Sequence, residues 1–280
     1  MDHPGDGVAT LSLGGTTVAE YVVRPEIDPL RGPRPYLHPV RTLAGTIVTD
    51  VLPADHPHHL GVSVAMQDVN GTNLWGGRTY VRDAGYTWLD DHASIEHVEW
   101  MRRTDALLAD RLIWYGHDGS PLLHEDRTMT AATLPTDPDG WRLDLSFTLT
   151  NRTATDVILG SPATNGRPGK AGYGGFFWRA APGTPRVLDP VTDVEAEVNG
   201  SAAPWVALVA EDDSSTLLFT GLGEDDRWFV RAGEYPGVCA ALAFERPRVL
   251  APGATLSRQY RVVICDGTRP RSALTALASP

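Results

Sequence analysis

The chain has 280 residues, 42% of them apolar and 21% charged, the composition of a globule and not of a disordered or low-complexity chain. Its formal net charge of −11 argues against general affinity for nucleic acid or anionic membrane. No run approaches the roughly 20 apolar residues that span a bilayer.

The N-terminus, Met1-Asp2-His3-Pro4-Gly5-Asp6, lacks the basic start and apolar centre of a signal peptide. Period-two alternation then dominates. Residues 8–13 and 16–23 flank Gly14-Gly15 and read as a hairpin with its two turn residues. Strands are expected at 46–52 and 59–66, with 53–58 as the connection, and again at 94–101, 106–115 and 122–134. Residues 141–150 alternate cleanly, with Trp141, Leu143, Leu145, Phe147 and Leu149 on one face and Arg142, Asp144, Ser146 and Thr148 on the other. Residues 161–171, with Pro162, Gly166, Pro168 and Gly169, form the best candidate for a functional loop or lid. Further strands are expected at 174–179, 205–210, 216–220, 228–231, 239–244 and 255–264. Only 270–278 carries helical signal, as a short C-terminal turn. The expected fold is all-β, a large antiparallel β-sandwich of about fifteen or more strands. It is read as a single domain over 1–280, with an N-terminal hairpin region (1–33), a core (34–267) and a tail (268–280). Cys239 and Cys265 match neither a metal-binding spacing nor a disulfide framework, so a reduced cytoplasmic setting is expected.

The densest chemistry lies in Asp55-His56-Pro57-His58-His59-Leu60-Gly61, where three of the nine histidines fall within four positions. His38 precedes it, and Asp68, Asn70 and Trp75-Gly76-Gly77 follow. Extended chain over 56–58 puts His56 and His58 on one side and His59 on the other. Three readings are open. His38, His56 and His58 could hold a divalent metal in an open site; one histidine could be a general acid or base; or all three could be loop histidines bonded to backbone. Period two also places Glu125 and Arg127 together on one face of their strand, suited to substrate hydroxyls or to plain pairing. In Gly172-Tyr173-Gly174-Gly175-Phe176-Phe177-Trp178-Arg179, Phe177 and Arg179 share a face. Its glycines permit close backbone approach and room for a flat ligand. Glu245 ends an apolar strand, where a carboxylate is poorly placed unless exposed or used.

These segments, together with Arg34-Pro35-Tyr36-Leu37-His38-Pro39, Trp228-Phe229-Val230-Arg231 and the terminal Tyr260-Arg261-Val262-Val263, resemble the soluble bacterial family labelled "methane oxygenase PmoA-like" from about residue 34 to 267. That resemblance implies an association with carbohydrate catabolism and no assigned activity. At the level of fold, 141–160 is similar to the strand and Asn-x-Thr turn before the catalytic histidine of galactose mutarotase-like supersandwich enzymes. Phe244-Glu245 is similar to the segment bearing their catalytic glutamate. Where their histidine falls this chain has Pro162-Ala163-Thr164-Asn165, so ring-opening would draw its acid from His56, His58 or His59.

The expected function is acid/base catalysis on a sugar or keto-sugar: epimerisation, ring-opening, elimination or hydration. His56, His58, His59, Glu125 and Glu245 are the catalytic candidates. His38, Asp68, Asn70, Arg127, Tyr173, Trp178 and Arg179 are the ligand-binding ones. The expected partner is a small carbohydrate, with no nucleic acid or membrane, and no cofactor is required beyond a possible divalent metal. The alternatives are a non-catalytic carbohydrate-binding or sensing protein and a histidine-ligated metal-dependent oxygenase or hydrolase.

Overall fold

A computed structural model describes residues 7–279; residues 1–6, read above for leader character, lie outside them. Strand accounts for 48% of the chain and helix for 5%, against the usual third of residues in helix. Two large antiparallel sheets carry the architecture. The first runs Val8–Leu13, Thr16–Val22, Tyr36–Val40, Val62–Ala65, Gly175–Arg179, Gly237–Ala241, Arg227–Arg231 in spatial order. The second runs Arg186–Leu188, Trp205–Val209, Ser215–Thr220, Thr255–Asp266, Gly140–Asn151, Pro121–Thr133, Leu107–Tyr115, Ile95–Thr104. A three-stranded sheet (Arg248–Leu250, Val157–Gly160, Asp68–Val69) and the hairpin Thr79–Val81/Gly85–Thr87 complete it.

The sandwich core follows from the pleat. Leu143, Leu145, Phe147 and Leu149 are buried while their alternate neighbours are only partly so, as the sequence pattern requires. In the opposing sheet, Phe176 stacks on Tyr260 at 4.9 Å, and Trp178 meets Phe219 edge-on at 5.6 Å. Successive residues of a strand face opposite ways, so Phe177 and Arg179 emerge on the other side of the first sheet. That outer face carries the site described below.

Two local expectations are revised, and the helical signal at 270–278 is borne out. Residues 46–52 form no continuous strand and make only isolated bridges, Arg41 with Ile47, Thr49 with Ala180 and Val51 with Leu60. The next strand begins at Val62, not at residue 59, because His59 closes a turn and Gly61 has φ +40°. The C-terminal element is an α-helix, Arg271–Ala278, with Leu274 packed on Trp205, Val263 and Cys265. Among the described residues no helix is long and apolar enough to cross a membrane.

Candidate functional site

On the outer face of the first sheet, five segments of chain enclose a cavity of ≈ 370 Å³. The histidine stretch forms one wall. The His56 amide donates to Pro53 O at 3.1 Å and the His59 amide to His56 O at 2.9 Å. A turn therefore replaces the extended chain expected for 56–58, and His59 does not point away from its neighbours. Its ring stacks on His56 at 4.6 Å and meets His58 at 4.9 Å.

Each histidine has a different electrostatic setting. Arg179 Nη2 donates to both oxygens of Asp55, at 3.2 and 3.1 Å, and Asp55 Oδ2 accepts from His56 Nδ1 at 2.8 Å. Because a carboxylate can only accept, the His56 proton sits on Nδ1 and Nε2 is left as the basic nitrogen. Burial lifts the Asp55 carboxyl, but the His56 hydrogen bond and the Arg179 charge outweigh it and hold the group below its ordinary range. Burial, reinforced by His56 and Arg34, brings the His58 imidazole down to about 3. Burial, then the neighbouring His58 and His56, places His59 well below its ordinary value. Both are neutral near pH 7. His59 Nδ1 is buried with no hydrogen-bond partner among the described residues.

One buried guanidinium sets the floor. Arg34 donates to Ser63 Oγ (3.1 Å), Gly32 O (2.8 Å), Trp75 O (3.0 Å) and His58 O (3.1 Å), and lies 5.7 Å over the Trp75 ring. Burial, then the charge of Arg127, lowers its pKa to about 9. Gly77, at φ +71°, packs against His58, whose Nδ1 would sit 2.8 Å from any added Cβ. A side chain there would displace the imidazole.

The remaining walls are aromatic and cationic. Trp75 tilts against Tyr173 at 5.0 Å, and Tyr235 against His56 at 4.5 Å. The Tyr173 hydroxyl accepts from Gln67 Nε2 at 3.2 Å and shares a hydrogen bond with Tyr86 at 2.9 Å. Arg167 donates to the Tyr86 hydroxyl and lies 4.8 Å over that ring. Trp88, 54% exposed, stands at the mouth beneath Arg78 at 5.8 Å. Arg231 lies over Phe229 and 3.9 Å from Glu234. Burial raises the pKa of Tyr173 and Tyr235, which keeps both hydroxyls protonated.

Of the residues singled out in the sequence, His56, His58, His59 and Tyr173 line this cavity, and Arg179 stands behind Asp55 and the Tyr235 ring. The others lie elsewhere. Glu125 and Arg127 do share a face, but it is the sealed interior, where they pair with each other. Trp178 points into the sandwich and donates to Val48 O at 3.1 Å. Glu245 is exposed on a turn beside a different cavity, with Asp225 and Arg246. His38 Nδ1 is engaged with Thr49 Oγ1 at 2.9 Å. Asp68 accepts from the Gly71 amide and Asn165, while Asn70 holds Ile158 N and Asp156 O, so both shape turns. The space beside Gly175 is filled by Ala240 O, 2.3 Å from an added Cβ, and not by room for a flat ligand. Among the described residues no three His, Cys, Asp or Glu side chains are grouped to hold a metal ion, so the set His38, His56, His58 is not assembled. Arg78, Tyr86, Trp88, Arg167, Glu234 and Tyr235 were not anticipated. Only Arg167 had a signal, its place in the proline- and glycine-rich loop.

Comparison with known proteins gives a family and a fold. The chain matches, over residues 9–279, a family described as one of unknown function (DUF6807). It belongs to that family. The match takes in the N-terminal hairpin that the PmoA-like resemblance left out, and the description names no oxygenase. No curated protein matches it. Among solved structures it is similar to the galactosidase domain of an α-galactosidase–sucrose kinase, at 10% identity and TM-score 0.50, covering 95% of this chain and 42% of that one. It is also similar to an α-galactosidase from Lactobacillus brevis (12% identity, TM-score 0.45, 99% of this chain and 42% of that one). A galactose mutarotase-related enzyme from Lactobacillus acidophilus is matched at 12% identity and TM-score 0.45, over 93% of this chain and 98% of that one. The chain thus shares a fold with that galactosidase domain.

Proposed function

We propose that the cavity binds a sugar or keto-sugar and that His56 moves a proton on it. The observation that carries this reading is the line Arg179–Asp55–His56, which ends in a basic nitrogen beside an aromatic-walled pocket. Asp55 orients the imidazole and steadies the imidazolium that forms when Nε2 accepts a proton. His58 and His59, neutral and close by, each keep one N–H for the oxygen on which charge develops. Trp75, Tyr173 and Trp88 give the apolar faces of a sugar ring flat surfaces to rest on. Epimerisation, ring-opening, elimination and hydration all begin with such a proton movement. The likeness to a galactosidase domain supports the fold alone and assigns no residue. We place the protein in the cytoplasm, where its two free, buried cysteines stay reduced.

The test is proton exchange in deuterated water, followed by NMR on aldoses and keto-sugars. The wild type should exchange a C–H beside the carbonyl. His56→Ala should lose about 10²–10⁴ in rate with an unchanged melting temperature. Binding with neither C–H exchange nor faster interconversion of anomers in the wild type would assign a non-catalytic carbohydrate-binding role instead.

A further inference from the structure

Five charged side chains line the cavity: Arg78, Arg167, Arg231, Asp55 and Glu234. Both carboxylates are already engaged, Asp55 by Arg179 and His56, and Glu234 by Arg231. Arg78 and Arg167 are left with no carboxylate partner among the described residues. They reach the mouth from separate parts of the chain, one following the Trp75-Gly76-Gly77 turn and the other on the loop 161–171. Each is held over an aromatic ring, Trp88 and Tyr86, a placement that steadies the plane of a guanidinium while leaving N–H groups free. This surplus of cation stands over a concave pocket in a chain of net charge −11. Beneath it, the nine-tenths-buried His59 offers a further unpartnered nitrogen.

We propose that the ligand is an acidic sugar, whose carboxylate or phosphate is gripped by Arg78 and Arg167 while its ring lies against the aromatic wall. The proposal rests on the reading of the pocket as a sugar site and narrows its substrate class. A planar guanidinium meets a carboxylate or phosphate through two parallel N–H···O bonds, and two such groups at one mouth fix both the position and the orientation of the anion. With the acidic end anchored at the rim, the rest of the ring projects toward His56 and His59.

The experiment is calorimetric titration of the full chain with matched series of gluco, galacto and manno sugars, each as the neutral hexose, the uronate and the 6-phosphate. One acidic member should bind about ten- to hundred-fold more tightly than its neutral parent, the effect of a charge-assisted hydrogen-bond pair. Its affinity should fall as salt rises. The uronate and phosphate arms separate the two anions. Arg78→Gln, Arg167→Gln and the double variant, each first shown to melt like the wild type, should bring the acid's affinity down to that of the neutral sugar. Equal binding of neutral and acidic members, or a preference that survives in the double variant, overturns the acidic-ligand proposal and leaves the sugar site standing. Failure of every sugar to bind overturns both.

Discussion

Two arginine–carboxylate assemblies in this molecule use similar side chains to opposite ends. In the sandwich interior, Arg127 donates to Glu125 through Nε at 2.6 Å and Nη2 at 3.0 Å, and through Nη1 to Tyr21 and Pro35 O. Glu125 also accepts from Trp114 at 2.7 Å, and the Tyr21 hydroxyl donates at 3.0 Å to Asp110, which His97 also contacts. Every nitrogen of Arg127 is used. On the outer face, Arg179 holds Asp55 with Nη2 alone; its Nε lies 3.8 Å from Asp50 Oδ2, and neither Nε nor Nη1, both buried, has a hydrogen-bond partner among the described residues. Its carboxylate partner is half exposed and passes the interaction on to an imidazole at a cavity. The interior network satisfies its guanidinium, though Asp110 Oδ1 stays unpaired among the described residues; the outer one ends at Asp55 and His56 beside a cavity, where a ligand can complete it. The distinction lies in which atoms remain unpaired, not in which residues are present.

The sharpest way to break this contrast is to remove one carboxylate from each assembly. Glu125→Ala strands a buried guanidinium and should lower stability by about 3–5 kcal/mol in chemical denaturation. Asp55→Ala leaves Asp50, 3.8 Å from Arg179 Nε, as a second carboxylate for the guanidinium, and should cost less, about 1–2 kcal/mol, while abolishing most turnover. Equal losses of stability would erase the distinction.

A second, smaller effect is set by pH. Folded His58 stays neutral down to about pH 3, whereas in the unfolded chain it protonates near 6.5. Between those values the unfolded state binds more protons, so stability is complete above about 6.5 and falls as pH drops toward 3. At pH 5 the loss from this one group is about 2 kcal/mol. His58→Gln should lessen, without abolishing, the fall in melting temperature between about pH 6.5 and 5, because His59 titrates in the same sense; an unchanged slope would remove His58 as a source.

The smallest expected change in stability is at His59. His59→Phe keeps the ring packing and gives up no hydrogen bond within the protein, so stability should shift by less than about 1 kcal/mol. Ligand affinity, read by calorimetry, should nevertheless drop about tenfold. A large loss of stability without loss of affinity would return His59 to the core.

The parts legible in the sequence are those governed by local period. The run 141–150 became Gly140–Asn151 with the expected inward face, and Phe177 and Arg179 do share a side. Glu125 and Arg127 were correctly placed together, but alternation cannot tell what a face meets, and theirs meets the sandwich interior. His59 was misdirected because the prolines at 53 and 57 and Gly61 favour a turn over the extended chain that period two assumes. Tyr235 and Tyr86 were invisible for a different reason. Tyr235 reaches the histidines because Gly175–Arg179 pairs with both Val62–Ala65 and Gly237–Ala241, segments far apart in the chain, and Tyr86 reaches the cavity through its contact with Tyr173. No local pattern encodes that pairing.

The guanidinium under the pocket has one more consequence. Arg34 is fully buried and in no ion pair with a carboxylate among the described residues; three carbonyls, a hydroxyl and the face of the Trp75 ring compensate it. Its depressed pKa records how unfavourable that position is for a cation. An apolar side chain of similar volume could serve the core as well or better, but would release the backbone at Gly32, His58 and Trp75 together. Drift toward greater thermal robustness would therefore run through position 34 and away from the pocket, so that keeping arginine there ties selection on the fold to selection on the site.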